Sequence, residues 1–146
     1  MAIIYKAEIV KRPKLRYRIV SHWLKQVVIK CNCITGNLTY IFCTDEYLKE
    51  INVKYLKHDY FTDIITFDYR EGRVVSGDML ISVDRVKENA ELYNCEIGDE
   101  FLRVIVHGLL HLLGYNDSSK IEQKKMREKE DECIFMYMAI YNEYIK

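Results

Sequence analysis

Proline and glycine are scarce in this chain, with one Pro and six Gly among 146 residues. That excludes collagen-like, proline-rich and linker-dominated architectures. Net charge is missing as well: Lys plus Arg and Asp plus Glu number 22 each, so bulk electrostatics do not announce a nucleic-acid binder and only a local patch can do so. No apolar run approaches the roughly 18 residues needed to span a bilayer. Residues 1–8 carry charges and no small-residue cleavage pattern, so no secretory signal is expected. The five cysteines are odd in number, and Cys31-Asn32-Cys33 is the one close pair. This spacing argues against a disulfide framework or a thiolate metal site. It predicts reduced, mostly buried thiols in a cytosolic protein.

What is present is a compact composition, 49% apolar, without repeats or low-complexity tracts, and residues 1–146 are read as one domain. Residues 2–9 mix β-branched, aromatic and charged side chains and predict a strand. Leu15, Ile19, Trp23, Val27 and Cys31 recur every four residues and predict an amphipathic helix. Gly36-Asn37 is read as a turn, Leu38 to Cys43 as a second strand, and Thr44 as the N-cap of a short helix through Tyr55. Residues 57–63 read as a polar loop. Ile64 to Tyr69 and Val74 to Ile81 then form a hairpin about Gly72. Ser82 caps a further helix, and Asn94 to Gly98 break the chain. Asp99 to Leu113, apolar almost all round, predicts a central buried helix. Ser119-Lys-Ile-Glu122 is a capping box that starts a long helix through Tyr144. The expected class is α+β: a small four-stranded sheet packed with about five helices.

The chemistry concentrates in His107-Gly-Leu-Leu-His111-Leu-Leu-Gly114-Tyr-Asn-Asp117. Positions i and i+4 share one helix face, so both imidazoles can reach one cation. Two desolvated imidazoles repel if charged and need partners if neutral, and a shared cation meets both needs. Gly114 can adopt a left-handed conformation, stop the helix and let the chain bring back Asp117. His107, His111 and Asp117 are therefore the candidate metal ligands, at the +4, +7 (Gly) and +10 offsets used by metzincin zinc enzymes. Those proteases carry Glu directly after the first His as general base; position 108 here is Gly. Glu100 and Arg103, on the same stripe, are expected as a surface ion pair, with a role behind the ligands as the alternative.

Taken together these residues resemble the YbeY family of metal-dependent endoribonucleases that mature ribosomal RNA. Its motif His-Gly-x-Leu-His-Leu-x-Gly-Tyr-Asp-His stands here as residues 107–117. A second block, Leu-Asn-x-x-Tyr-Arg-x-x-Asp-x-x-Thr-Asp-Val-Leu-Ser-Phe, matches residues 51–67. A third, Gly-Asp-Ile-x-Ile-Ser, matches residues 77–82. Two departures from the pattern bear on the chemistry. Asp117 stands for the third His and remains a sound zinc ligand. Leu56 stands for the Arg that would meet a phosphate; Lys57 or His58 is the candidate replacement.

The resemblance implies hydrolysis of an RNA phosphodiester in ribosomal RNA processing at a single metal site; two imidazoles and a carboxylate point to Zn2+, with Ni2+ or Mn2+ as the other candidates. RNA or the ribosomal subunit would be the partner, in the cytoplasm. The segment Lys11, Arg12, Lys14, Arg16, Tyr17, Arg18 offers cations for phosphates and a ring for an unpaired base. Its blander reading is a solvated helix start. His22 has no partner assignable from sequence. The competing readings are a ribosome-associated assembly factor with a structural metal, motivated by Leu56, and a metalloprotease, disfavoured by Gly108.

Overall fold

The computed structural model describes residues 2–57 and 62–146. Four strands, β1 (Ile3–Ala7), β2 (Ile34–Cys43), β3 (Ile64–Asp68) and β4 (Val74–Ser82), form one sheet in the order β1-β2-β4-β3. β1 and β4 both pair parallel to β2, and β3 pairs antiparallel to β4, so the predicted hairpin is present within a mixed sheet. The helices are α1 (Tyr17–Lys30), α2 (Asp45–Ile51), α3 (Val83–Leu92), α4 (Ile97–Leu112) and α5 (Lys120–Tyr144), with a π-helical turn Asn52–Leu56 continuing α2. The α+β class holds.

The amphipathic stripe of α1 does what its spacing requires: Ile19, Trp23 and Val27 are buried, the last two in the main core with residues of the sheet and α4. α4 buries Phe101, Ile105, Leu109 and Leu110 completely or nearly so. It is held to β2 by the Tyr40 hydroxyl, which donates to the Ile105 carbonyl at 2.9 Å. Trp23 Nε1 donates to the Cys133 carbonyl at 2.7 Å and ties α5 to α1. A smaller cluster of Cys43, Leu48, Ile65 and Leu80 packs α2 on the sheet.

Some local expectations are corrected. Gly36-Asn37 is not a turn but lies inside β2, at a register irregularity between Thr35 and Leu38. A Cβ at Gly36 would meet Ser76 Oγ at 2.1 Å, so glycine is needed for close backbone approach rather than for reversal. Of the cysteines only Cys43 and Cys133 are buried; Cys31 and Cys33 are half-buried and Cys95 is exposed. His22 has a partner, the Tyr144 hydroxyl, 3.1 Å from its Nδ1. No helix of the described residues is long and apolar enough to cross a membrane.

Candidate metal centre

Helix α4 ends as Gly114 requires. Gly114 sits at φ +103°. Its N–H donates to the His111 carbonyl at 3.1 Å, and the Tyr115 N–H donates to the Leu110 carbonyl at 3.0 Å. This paired closure reverses the chain. Asp117 then stands two residues before Ser119, whose hydroxyl accepts from the Glu122 N–H at 3.1 Å while Glu122 accepts from the Ser119 N–H at 3.0 Å. The predicted capping box is therefore present in full, and it pins the loop carrying Asp117 between two helix ends.

The three sequence-named ligands converge. His107 Nε2 and His111 Nε2 are 3.0 Å apart. Asp117 Oδ2 lies 3.3 Å from the first and 3.4 Å from the second. Bonds of about 2.0–2.2 Å at tetrahedral angles set nitrogen and oxygen donors about 3.3 Å apart, so this triangle fits a small divalent cation. Among the described residues it is the one group of three or more His, Cys, Asp or Glu with ligand atoms so close together. The side chains are 22%, 25% and 41% exposed, which leaves one side open for water or substrate.

A fourth residue, absent from the sequence reading, completes the geometry. Glu130 of α5 is nearly buried, and its Oε2 lies 2.5 Å from His107 Nδ1. A carboxylate can only accept, so His107 donates from Nδ1 and turns its Nε2 toward Asp117. Burial disfavours charge on His107, but the Glu130 hydrogen bond prevails and raises its pKa above the ordinary imidazole value. Burial and the neighbouring His107 lower that of His111. Burial opposes ionisation of Glu130, yet the bonds from His107 and Arg103 hold its carboxyl below the usual range. Arg103 donates to Glu130 at 3.0 Å and to Asp131 at 2.8 Å. The expected Glu100–Arg103 surface pair is thus replaced: Arg103 serves Glu130, and Glu100 is buried at 6% exposure. No sequence signal links residues 107 and 130; only the docking of α5 on α4 does.

Gly108 has a structural explanation. A Cβ there would meet Ile64 Cδ1 at 2.7 Å and Met79 Cγ at 3.0 Å, so α4 lies hard against β3 and β4 at this position. A protease-type Glu has no room there. Lys57 is exposed at the end of the π-helical turn, in a left-handed conformation with φ +57°. His58 lies outside the described residues.

The basic segment divides. Lys14 and Arg16 line a cavity of about 700 Å³ that also reaches Arg103 and Arg127. Arg12 instead donates to the Tyr5 carbonyl and lies over the Tyr17 ring. Tyr17 packs on Tyr5 with centroids 4.6 Å apart and donates to the Pro13 carbonyl, so its ring is already engaged. Lys11 and Arg18 are exposed.

Helix α4 and the loop that follows it thus present a three-donor triangle of the kind that can hold a divalent ion in a hydrolase. Comparison with known proteins makes this specific. The family model described as Endoribonuclease YbeY matches residues 6–137, and the chain belongs to the YbeY family. Relatives named Endoribonuclease YbeY include one from Parabacteroides distasonis, 46% identical over 92% of this chain and 94% of its own length. Another, from Bacteroides thetaiotaomicron, is 45% identical over 93% and 99%. A third, from Flavobacterium johnsoniae, is 49% identical over 80% and 84%. The solution structure of a Thermotoga maritima protein superposes with TM-score 0.67 at 23% identity, covering 98% of this chain and 93% of that one, and shows the shared fold.

Proposed function

We propose that this chain, as one domain over residues 1–146, is a metal-dependent endoribonuclease that hydrolyses phosphodiester bonds of RNA during ribosomal RNA maturation in the cytoplasm. The observation that carries the reading is the His107–His111–Asp117 triangle, with its 3.0–3.4 Å separations, in a chain of this family. These three side chains would hold one divalent ion; zinc is the proposed metal from two imidazoles and a carboxylate, with nickel and manganese as the other candidates. Such an ion supplies Lewis acidity toward a phosphoryl oxygen and toward water.

The chain's own groups prepare the site. Glu130 holds the proton on His107 Nδ1, so the nitrogen facing Asp117 keeps its lone pair. Arg103 balances the charge of Glu130 and keeps it ionised. Lys14, Arg16 and Arg127, at the neighbouring cavity, offer cations for the phosphates of a bound strand. The assembly-factor reading rests on Leu56, which stands where the resemblance implies a phosphate-binding arginine. The protease reading has no support, because Gly108 packs against the sheet where the base would stand.

His111→Ala tests the proposal. The variant is expected to remain folded, to lose bound metal and to lose cleavage of single-stranded RNA. A folded, metal-free variant that cleaves RNA like the parent would refute the assignment. Loss of metal and of melting temperature, in a parent that binds RNA but never cuts it, would favour the assembly-factor reading.

A further inference from the structure

His107 borders a cleft of about 170 Å³ that also touches Asp63, Asn89 and Glu130. Tyr93, Glu100, Arg103 and Arg127 line both this cleft and the 700 Å³ cavity beside it. The two spaces therefore form one groove along the Glu100–Arg103–His107 stripe of α4. From Glu100 to His107 the helix rises about 10 Å, so whatever fills the cavity lies close to whatever the metal centre holds.

The contents of this groove are specific. Tyr93 comes from the end of α3, and Tyr137 and Tyr141 from α5. Tyr137 and Tyr141 stack with an interplanar angle of 17°, and the Arg16 guanidinium lies 5.1 Å from the Tyr141 centroid. Tyr93 is 58% exposed, so its ring remains accessible to a planar ligand. Glu100 lines both spaces at only 6% exposure, and its hydrogen bond from the Cys95 thiol is long, at 4.0 Å. Two carboxylate oxygens have capacity for stronger donors than one thiol. Burying a carboxylate is unfavourable unless such donors arrive, and a base edge can bring them.

Accessible aromatic rings, flanking cations and a buried acceptor pair make the chemistry of a nucleotide pocket. Among the bases guanine alone presents two adjacent donors, N1–H and N2–H, which match both oxygens of a carboxylate. We propose that this groove holds an unpaired guanine nucleotide of the RNA near the cleaved linkage, its ring on Tyr93, its donor edge on Glu100, and its phosphates beside Lys14, Arg16 and Arg127. The proposal rests on the ribonuclease reading and adds to it a base preference with named residues.

The test uses the metal-loaded protein and short single-stranded RNAs with one variable base, one of them carrying a fluorescent guanine analogue that keeps its donor edge. The parent is expected to quench the analogue and to bind the guanine strand about tenfold more tightly than its adenine, cytosine or uracil counterparts. Tyr93→Ala should abolish the quench and raise KM about tenfold with kcat retained. Glu100→Gln should equalise the four bases. Metal content should stay at the parent level in both variants, since neither touches the donor triangle. Should Glu100→Gln fail to fold, the quench and the KM of the exposed Tyr93→Ala decide. Equal affinity for all four bases, or an unchanged Tyr93→Ala, in a parent that cleaves RNA overturns this inference alone. A parent that neither binds nor cleaves RNA overturns the ribonuclease reading and this inference together.

Discussion

Glu130 Oε2 lies 2.5 Å from His107 Nδ1, so a residue of α5 determines which imidazole nitrogen of α4 faces Asp117. The relationship spans 23 residues of sequence and joins the two helices at the site. It also explains Arg103, which holds Glu130 ionised from the other side.

Replacing Glu130 by Gln removes the charge but keeps the shape. Metal affinity should fall about 10- to 100-fold, because the partner behind a ligating imidazole fixes its tautomer and raises its basicity. Competition against a colorimetric chelator measures this. Arg103 keeps Asp131 as a partner, so the fold should survive. Unchanged affinity would mean that Glu130 plays no part in preparing His107.

Gly108→Ala carries a test of sign. In an exposed helix interior the change would stabilise by about 1 kcal/mol. Here the new Cβ would stand 2.7 Å from Ile64 Cδ1, a side-chain end that can move, and also 3.0 Å from Cγ of the fully buried Met79 and 3.4 Å from Thr66 Cγ2, so it meets three side chains at once. Overpacking of that kind destabilises by about 1–3 kcal/mol. Thermal or denaturant melting should therefore show a loss of stability. A gain would show that α4 does not press on the hairpin at this position.

Leu56, 39% exposed on the π-helical turn, stands where the resemblance to the family's motif implies an arginine. Leu56→Arg should leave stability nearly unaltered and tighten binding of single-stranded RNA. The slope of log affinity against log salt should steepen by about 0.7, the contribution of one added phosphate contact. Titration at several salt concentrations measures it, and an unchanged slope would place residue 56 away from the RNA path.

The donor triangle was legible in the sequence because all three ligands lie in one local segment, where helix periodicity and the Gly114 stop dictate geometry. The capping box at Ser119 and the β3–β4 hairpin were legible for the same reason. Glu130 was not, since its role depends on how α5 docks. Nor was the division of the basic segment: Arg12 and Tyr17 are engaged with Tyr5, while Lys14 and Arg16 line the cavity. Gly36 misled because a glycine before an asparagine signals a turn, whereas here it permits close approach of β2 to Ser76. Glu100 and Arg103 looked like an exposed pair until the packing of α5 gave Arg103 other partners.

The proposed role of His107, His111 and Asp117 is to hold one catalytic divalent ion. Elemental analysis of the purified protein, coupled to cleavage of single-stranded RNA before chelation, after chelation and after metal is returned, tests it most directly. About one divalent ion per chain is expected, with loss of cleavage on its removal and recovery on its return. Undiminished cleavage by the metal-free protein would contradict it.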